Sequence, residues 1–327
     1  MTSEGTIEIR ELEESDLDSL LACQRLCFGA ERAKSAAEWA WAFRRPGLPL
    51  RHSVALLDGR VVGAYAGIPE RTWIGGEERL CVQPVDLMVD PEHRRGQRER
   101  GLYVDLGEHF LGSYGTHGGD AVHYGWPIDA ARRVGERLLG YELVREELAL
   151  VLELEGRPSE APAGVERVTE PGEGLKWLWD RCASEWGAAT IRDGAWARWR
   201  YQERPGVEYL MLGAYDEDLL VGMATLRLTP WEWEGALPLC DWLVPPGELA
   251  VARDLEAAVQ SVAARAGARR VVAVFPDSSS PFALFQELGW RVRPTPYRLV
   301  ARSFDGRFDG DWLRAYWWYG LGDSDLV

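Results

Sequence analysis

Four short segments of this chain occur twice, in the same order and at nearly constant spacing. Residues 39–47 read WAWAFRRPG and residues 196–206 read WARWRYQERPG, with the closing glycines, Gly47 and Gly206, 159 positions apart. GRVVGAYAGI at 59–68 answers DLLVGMATLR at 218–227, and Gly63 to Gly222 is again 159. VDLMVDPEH at 85–93 matches CDWLVPPGE at 240–248, aligning Asp86 with Asp241 at an offset of 155. RLLGYELV at 137–144 matches QELGWRVR at 286–293, aligning Gly140 with Gly289 at 149. One such match arises easily by chance; four in order point to a duplicated unit. At roughly 150 residues per domain, the length also predicts about two. The first domain is placed at 1–155 and the second at 174–327, ending in an aromatic tail that reads YWWYGLGDSD at 316–325. Between them 156–173 is rich in Gly, Pro and Glu and has the composition of a linker.

Each copy alternates strand and helix signals. In the first, 6–10 alternates as a strand, and 15–28 and 36–43 carry helical apolar spacing, with Ser15 as an N-cap. Strands follow at 53–57, 60–68 and 80–89, the first two joined by Asp58-Gly59, a hairpin turn pair. A helix at 101–111, a strand at 121–126, a helix at 130–139 and a strand at 141–154 complete the order β-α-α-β-β-β-α-β-α-β. The second copy repeats it, with helices at 175–186, 194–201, 249–266 and 281–288 and a last strand running through 300. This alternation predicts an α/β fold for each half.

Composition removes several function classes. The formal net charge of −15 argues against a nucleic-acid partner, which needs a cationic surface, and against a polybasic membrane anchor. No apolar run approaches the ~18 residues of a membrane span, and residues 1–10 lack the apolar core of a signal peptide. Five cysteines, an odd number without CxxC spacing, read as reduced thiols of a cytoplasmic protein. The histidines show no HExxH-like spacing, so no metal site is expected.

The densest chemistry follows Val89, where a strand ends in DLMVDPEH and runs through RRGQRERG into a helix. Arg94, Arg95, Arg98 and Arg100 crowd around Gly96 and Gly101. A glycine-containing loop at a helix start offers unpaired amides and the positive end of the helix dipole, and guanidinium forks suit phosphate. A solvated basic helix start paired with surface acids accounts for the same residues.

Strand, then V-x-P-E-H-R-R, then Gly-Leu-Tyr opening a helix, resembles the coenzyme-A-binding motif of the GNAT acetyltransferases. Gly125-Trp126-Pro127, and the later helix ending in Leu139-Gly140-Tyr141, are similar to that superfamily as well. The resemblance spans most of the chain, once per copy. It implies two tandem GNAT-like domains, each a mixed, mostly antiparallel twisted sheet flanked by helices. It further implies that Leu87, Met88 and Val89 pair with pantetheine through main-chain groups. Arg94, Arg95, Gly96, Gln97, Arg98, Gly101 and Leu102 would cradle the pyrophosphate of acetyl-CoA or another acyl-CoA. The second copy reads Val244-Pro245-Pro246-Gly247-Glu248 at this corner; prolines remove amide donors and Glu248 repels phosphate, so one cofactor site is expected, in the first copy.

The mechanism implied is direct acyl transfer to the amine of a small molecule, with a base deprotonating the ammonium and a strand amide stabilising the oxyanion. Candidate catalytic residues are Asp86, which precedes the motif on the predicted strand, and His123 and Tyr124 on the next strand; Glu70 is a weaker candidate. A tyrosine acid is usual in the family four residues before the Gly-aromatic pair, but Glu136 and Phe285 stand there. Asp86 and Asp241 also read as structural carboxylates, and His123 as a core histidine. The tryptophans at 39, 41, 196, 199, 231 and 233 read as groove lining or as helix faces in a core. The tail reads as docked, with Asp323 or Asp325 available to a cationic acceptor. Two other functions stay open: an aminoacyltransferase using charged tRNA, and a CoA-binding protein without activity.

Overall fold

The computed structural model describes residues 6–94, 101–154 and 162–327. The first copy contributes β1 (Ile7–Glu11), α1 (Leu17–Phe28), α2 (Ala36–Phe43), β2 (Arg51–Leu57), β3 (Arg60–Ile74), β4 (Glu77–Val89), α3 (Leu102–Phe110), β5 (Val122–Gly125), α4 (Asp129–Leu138) and β6 (Glu142–Glu153). The second contributes β7 (Val165–Arg167), α5 (Glu173–Ala183), β8 (Ala188–Thr190), α6 (Gly194–Ala197), β9 (Tyr209–Asp216), β10 (Leu219–Arg227), β11 (Ala236–Leu243), α7 (Leu249–Arg265), β12 (Arg270–Val274), α8 (Ser280–Glu287), β13 (Arg291–Ser303) and α9 (Gly310–Tyr316).

The chain packs as two compact units. The first comprises Met1–Arg71, Arg79–Arg145 and Arg298–Asp311, the second Thr72–Glu78, Glu146–Tyr297 and Trp312–Val327. Strand order in the first unit is β1-β2-β3-β4-β5-β13. Its ladder is antiparallel from β1 to β2, parallel between β4 and β5, and antiparallel where Val300–Ser303 of β13 lines β5. Strand order in the second unit is β6-β12-β11-β10-β9-β7, parallel only between β11 and β12 among the pairs whose register is described. Each unit is thus a mixed, mostly antiparallel sheet flanked by helices.

The copies trade their last strands. β6 belongs to the first copy, yet its Ala149–Glu153 pairs with β12 of the second unit. β13 closes the second copy, yet its end pairs with β5 of the first. The boundary drawn at 155 therefore falls after a stretch that packs in the second unit, and residues 298–311 pack in the first. Residues 156–161 of the expected linker lie outside the described residues, and Val165–Arg167 forms an edge strand on β9.

The repeated glycines keep the same tasks in both copies. A Cβ on Gly63 would stand 2.9 Å from Leu106 Cδ1 and 3.2 Å from the Met88 carbonyl; one on Gly222 would stand 2.6 Å from Val251 Cγ1 and 2.7 Å from Leu255 Cδ1. The bare backbone lets α3 and α7 lie close against β3 and β10. The cores follow from this packing. Leu102, Leu106 and Phe110 cover Val62, Tyr65 and Val82 in the first unit. Leu255 and Val259 pack with Trp242 and Phe285 in the second.

Candidate functional site

The β4–β5 ladder is parallel and registered at Cys81↔Val122 and Val82↔His123. Pro84 follows, with no N–H to donate, and β4 runs on to Val89 while β5 ends at Gly125. Asp86 lies beyond this ladder with φ +55°. That left-handed conformation is uncommon off glycine, and aspartate is among the residues that tolerate it. It re-aims the side chain toward α1 and the loop before α2. There Lys34 Nζ donates to Oδ1 at 2.6 Å and Oδ2 at 2.8 Å, and Gln24 Nε2 donates to Oδ2 at 2.9 Å. The Lys34 side chain is 26% exposed and that of Asp86 13%. Lys34 is set in place by the start of α2, where Ser35 and Glu38 cap each other: Ser35 N donates to Glu38 Oε2 at 2.7 Å and Glu38 N to Ser35 Oγ at 3.2 Å.

Leu87 is half-buried, Met88 and Val89 are buried, and the strand ends where Arg94 Nε donates to the Val89 carbonyl at 2.7 Å. Gly101 is the N-cap of α3 and, having no side chain, supplies no side-chain cap bond to the first-turn amides. Such a helix start fits an anionic group. Arg95, Gly96, Gln97 and Arg98 lie outside the described residues; Leu102 is buried and packs in the core. Cys27 Sγ stands 4.0 Å from Cys23 Sγ on the same face of α1. Cys23 and the Arg94 guanidinium lower the Cys27 thiol to about 7, against the opposing effect of burial. Residues four apart on a helix share a face, so the spacing of Cys23 and Cys27 accounts for their pairing; nothing in the sequence links Arg94 to it.

His123 is a core histidine. It is fully buried, Nε2 lies 3.0 Å from Asp120 Oδ2, and its ring meets Phe110 and Phe304. Arg51 holds Asp120 through Nη2 at 2.8 Å. Burial outweighs the Asp120 contact and lowers the His123 pKa. Tyr124 is buried as well, edge-on to Trp126. Neither side chain reaches solvent. Glu70 is buried against Arg45 at 2.8 Å. At the position of the expected tyrosine, Glu136 bonds Arg132 at 2.8 Å on α4, and Phe285 is core. Trp39, Trp196 and Trp199 are buried, so these three are core rather than groove lining.

The second copy builds the same pair and seals it. Arg192, one residue before the N-cap Asp193, stands where Lys34 stands before Ser35. Arg192 Nε donates to Asp241 Oδ2 at 3.2 Å, Nη2 reaches Asp323 Oδ2 at 2.5 Å, and Nη1 the Thr190 carbonyl at 2.7 Å. All three charged side chains are buried. Burial pulls the Arg192 pKa down, but Asp241 and Asp323 more than offset it and keep the guanidinium charged. Asp323 is therefore committed to Arg192, not free for an acceptor. The tail docks onto the second unit's own β11: a Cβ on Gly320 or on Gly322 would stand 2.9 Å from the Cys240 carbonyl. Cys240 lies just past Leu239↔Ala273, the last described pair of the β11–β12 ladder. Backbone of the chain itself thus fills the place where these strands part.

Among the described residues no helix is long and apolar enough to cross a membrane, and no group of three or more His, Cys, Asp or Glu is placed to hold a metal. Residues 8–144 match the profile of the family described as "Acetyltransferase (GNAT) domain". No curated protein matches the chain. A GCN5-related N-acetyltransferase from Anabaena variabilis superposes with TM-score 0.68 at 16% identity, over 92% of this chain and 73% of its own. Saccharomyces cerevisiae N-myristoyltransferase, with bound myristoyl-CoA and inhibitors, superposes with TM-score 0.59 at 12% identity, over 92% and 80%. A tandem GNAT protein from the clavulanic acid biosynthesis pathway gives TM-score 0.57 at 17% identity, over 92% and 99%. At these identities the structural likeness is one of fold.

Proposed function

We propose that this chain, whose residues 8–144 match the profile of the GNAT acetyltransferase domain and whose fold resembles that of a tandem GNAT protein, transfers an acyl group from acyl-CoA to the amine of a small molecule, in its first unit. The observation that carries this is Asp86. It sits on β4 past the end of the β4–β5 ladder, and its carboxylate already grips a primary ammonium, that of Lys34. A carboxylate with that geometry can orient an acceptor ammonium and take its proton. The start of α3, where Gly101 offers no capping side chain, with Arg94 nearby in sequence, suits the donor's phosphates. Burial of His123 and the ion pair of Glu136 leave Asp86 as the candidate base among the residues singled out from the sequence.

The sealed second copy supports assigning one donor site to the chain, because Gly320 and Gly322 already lie against the Cys240 carbonyl. The test has two arms. CoA and acetyl-CoA are expected to raise the thermal unfolding midpoint, and a panel of small amines is screened for release of free CoA thiol. Asp86→Asn is expected to lower thiol release about a hundredfold or more while leaving the CoA shift in place. Binding without turnover for any amine would leave a CoA-binding protein; no shift with any CoA ester would end the proposal.

A further inference from the structure

We propose that the first unit acylates its own Lys34. This rests on the acyl-CoA reading above, and several observations lead to it. The chain uses arginine almost exclusively: of 37 lysines and arginines only Lys34 and Lys176 are lysine. Lys176 is a surface residue paired with Asp180 one turn on. Lys34 instead lies bidentate on Asp86, beside the strand that leads into the donor corner. The duplicated position in the second unit, Arg192, makes the corresponding ion pair with Asp241. Arginine therefore satisfies the structural demand of this fold, and a guanidinium cannot lose its proton to become a nucleophile. An ammonium can. The Lys34 side chain keeps 26% exposure whereas Arg192 has none. The surroundings suit a neutral product: Gln24 Oε1 is buried without a hydrogen-bond partner, and His52 is uncharged, its pKa lowered to about 3 by burial and by Lys34.

The step balances with acyl-CoA as the only co-reactant. Asp86 accepts one proton from the Lys34 ammonium, and the Nζ lone pair attacks the thioester carbonyl carbon. The C–N bond forms and the C–S bond breaks; the nitrogen gives its second proton to the sulfur, which leaves as CoA thiol, and Asp86 releases the proton it took to solvent. The product amide carries no charge, so Asp86 loses its cationic partner and is left to Gln24. Self-acylation thereby opens the carboxylate to an external ammonium.

The test uses the full-length protein with acetyl-CoA and, in a separate arm, octanoyl-CoA, and no added amine. Intact mass and peptide mapping of both lysines are read together with thiol release. One acyl group is expected, on Lys34, with an equivalent of thiol. Lys34→Arg, which keeps the ion pair as Arg192 does, is expected to abolish the mass gain; Lys176→Arg to leave it unchanged; Asp86→Asn to slow it about a hundredfold. Thermal stabilisation by CoA reports the underlying reading separately. Stabilisation with Lys34 unmodified in both arms overturns self-acylation and leaves that reading standing. Equal modification of Lys34 and Lys176 does the same, because it marks unassisted chemistry. No stabilisation by CoA overturns both.

Discussion

Asp86 and Asp241 occupy matching places in a duplicated unit, and each holds a cation set just before a helix cap. One pair is lysine on a part-exposed carboxylate. The other is arginine between two buried carboxylates, covered by the chain's own tail. The same scaffold thus supports an accessible charged pair in one copy and a structural one in the other. The difference lies in what covers the point where the parallel strands part.

The largest expected effect lies in the sealed copy. Asp241→Ala leaves Arg192 partly unpaired in the core and is expected to cost about 3–5 kcal/mol, read as a lower urea midpoint. Asp86→Ala removes a part-exposed partner and is expected to cost only about 1 kcal/mol or less. Equal losses at the two sites would break the contrast. The glycines sharpen it at smaller scale. Gly222→Ala and Gly63→Ala each crowd a helix against a strand, for about 1–3 kcal/mol. The greater loss is expected at Gly222, where the added carbon lies 2.6 Å from Val251 Cγ1 rather than 2.9 Å from Leu106 Cδ1. The smallest effect concerns thiols. Burial pushes Cys182 of the second unit up and makes it inert, whereas Cys27 is lowered to about 7. Iodoacetamide labelling of Cys27 should therefore reach half its maximal rate near pH 7. Arg94→Ala should move that midpoint upward, since a cation favours the thiolate. A profile unmoved by the substitution would detach Cys27 from the donor corner.

Much of this was legible in the sequence. Gly63 and Gly222 matched because both pack a helix tightly, and Asp86 matched Asp241 because both hold a cation. Lys34 and Arg192 were missed although a signal existed. They stand 158 residues apart, each one residue before a capping side chain, so self-comparison of the loops before α2 and α6 would have paired them. For His123, strand alternation gives a face but not its neighbours. Asp120 and Arg51, which hold it, come from a loop and from β2.

The sequence by itself determined that there are two copies of one α/β unit and that only the first carries an arginine-rich corner. Spacing, capping residues and glycines act over a few residues and survive in the order of the chain. Only the tertiary structure decided that the copies exchange β6 and β13, and that the tail closes the second copy. Backbone hydrogen bonds are the same for every strand, so the choice of ladder partner is made by packing between segments distant in sequence.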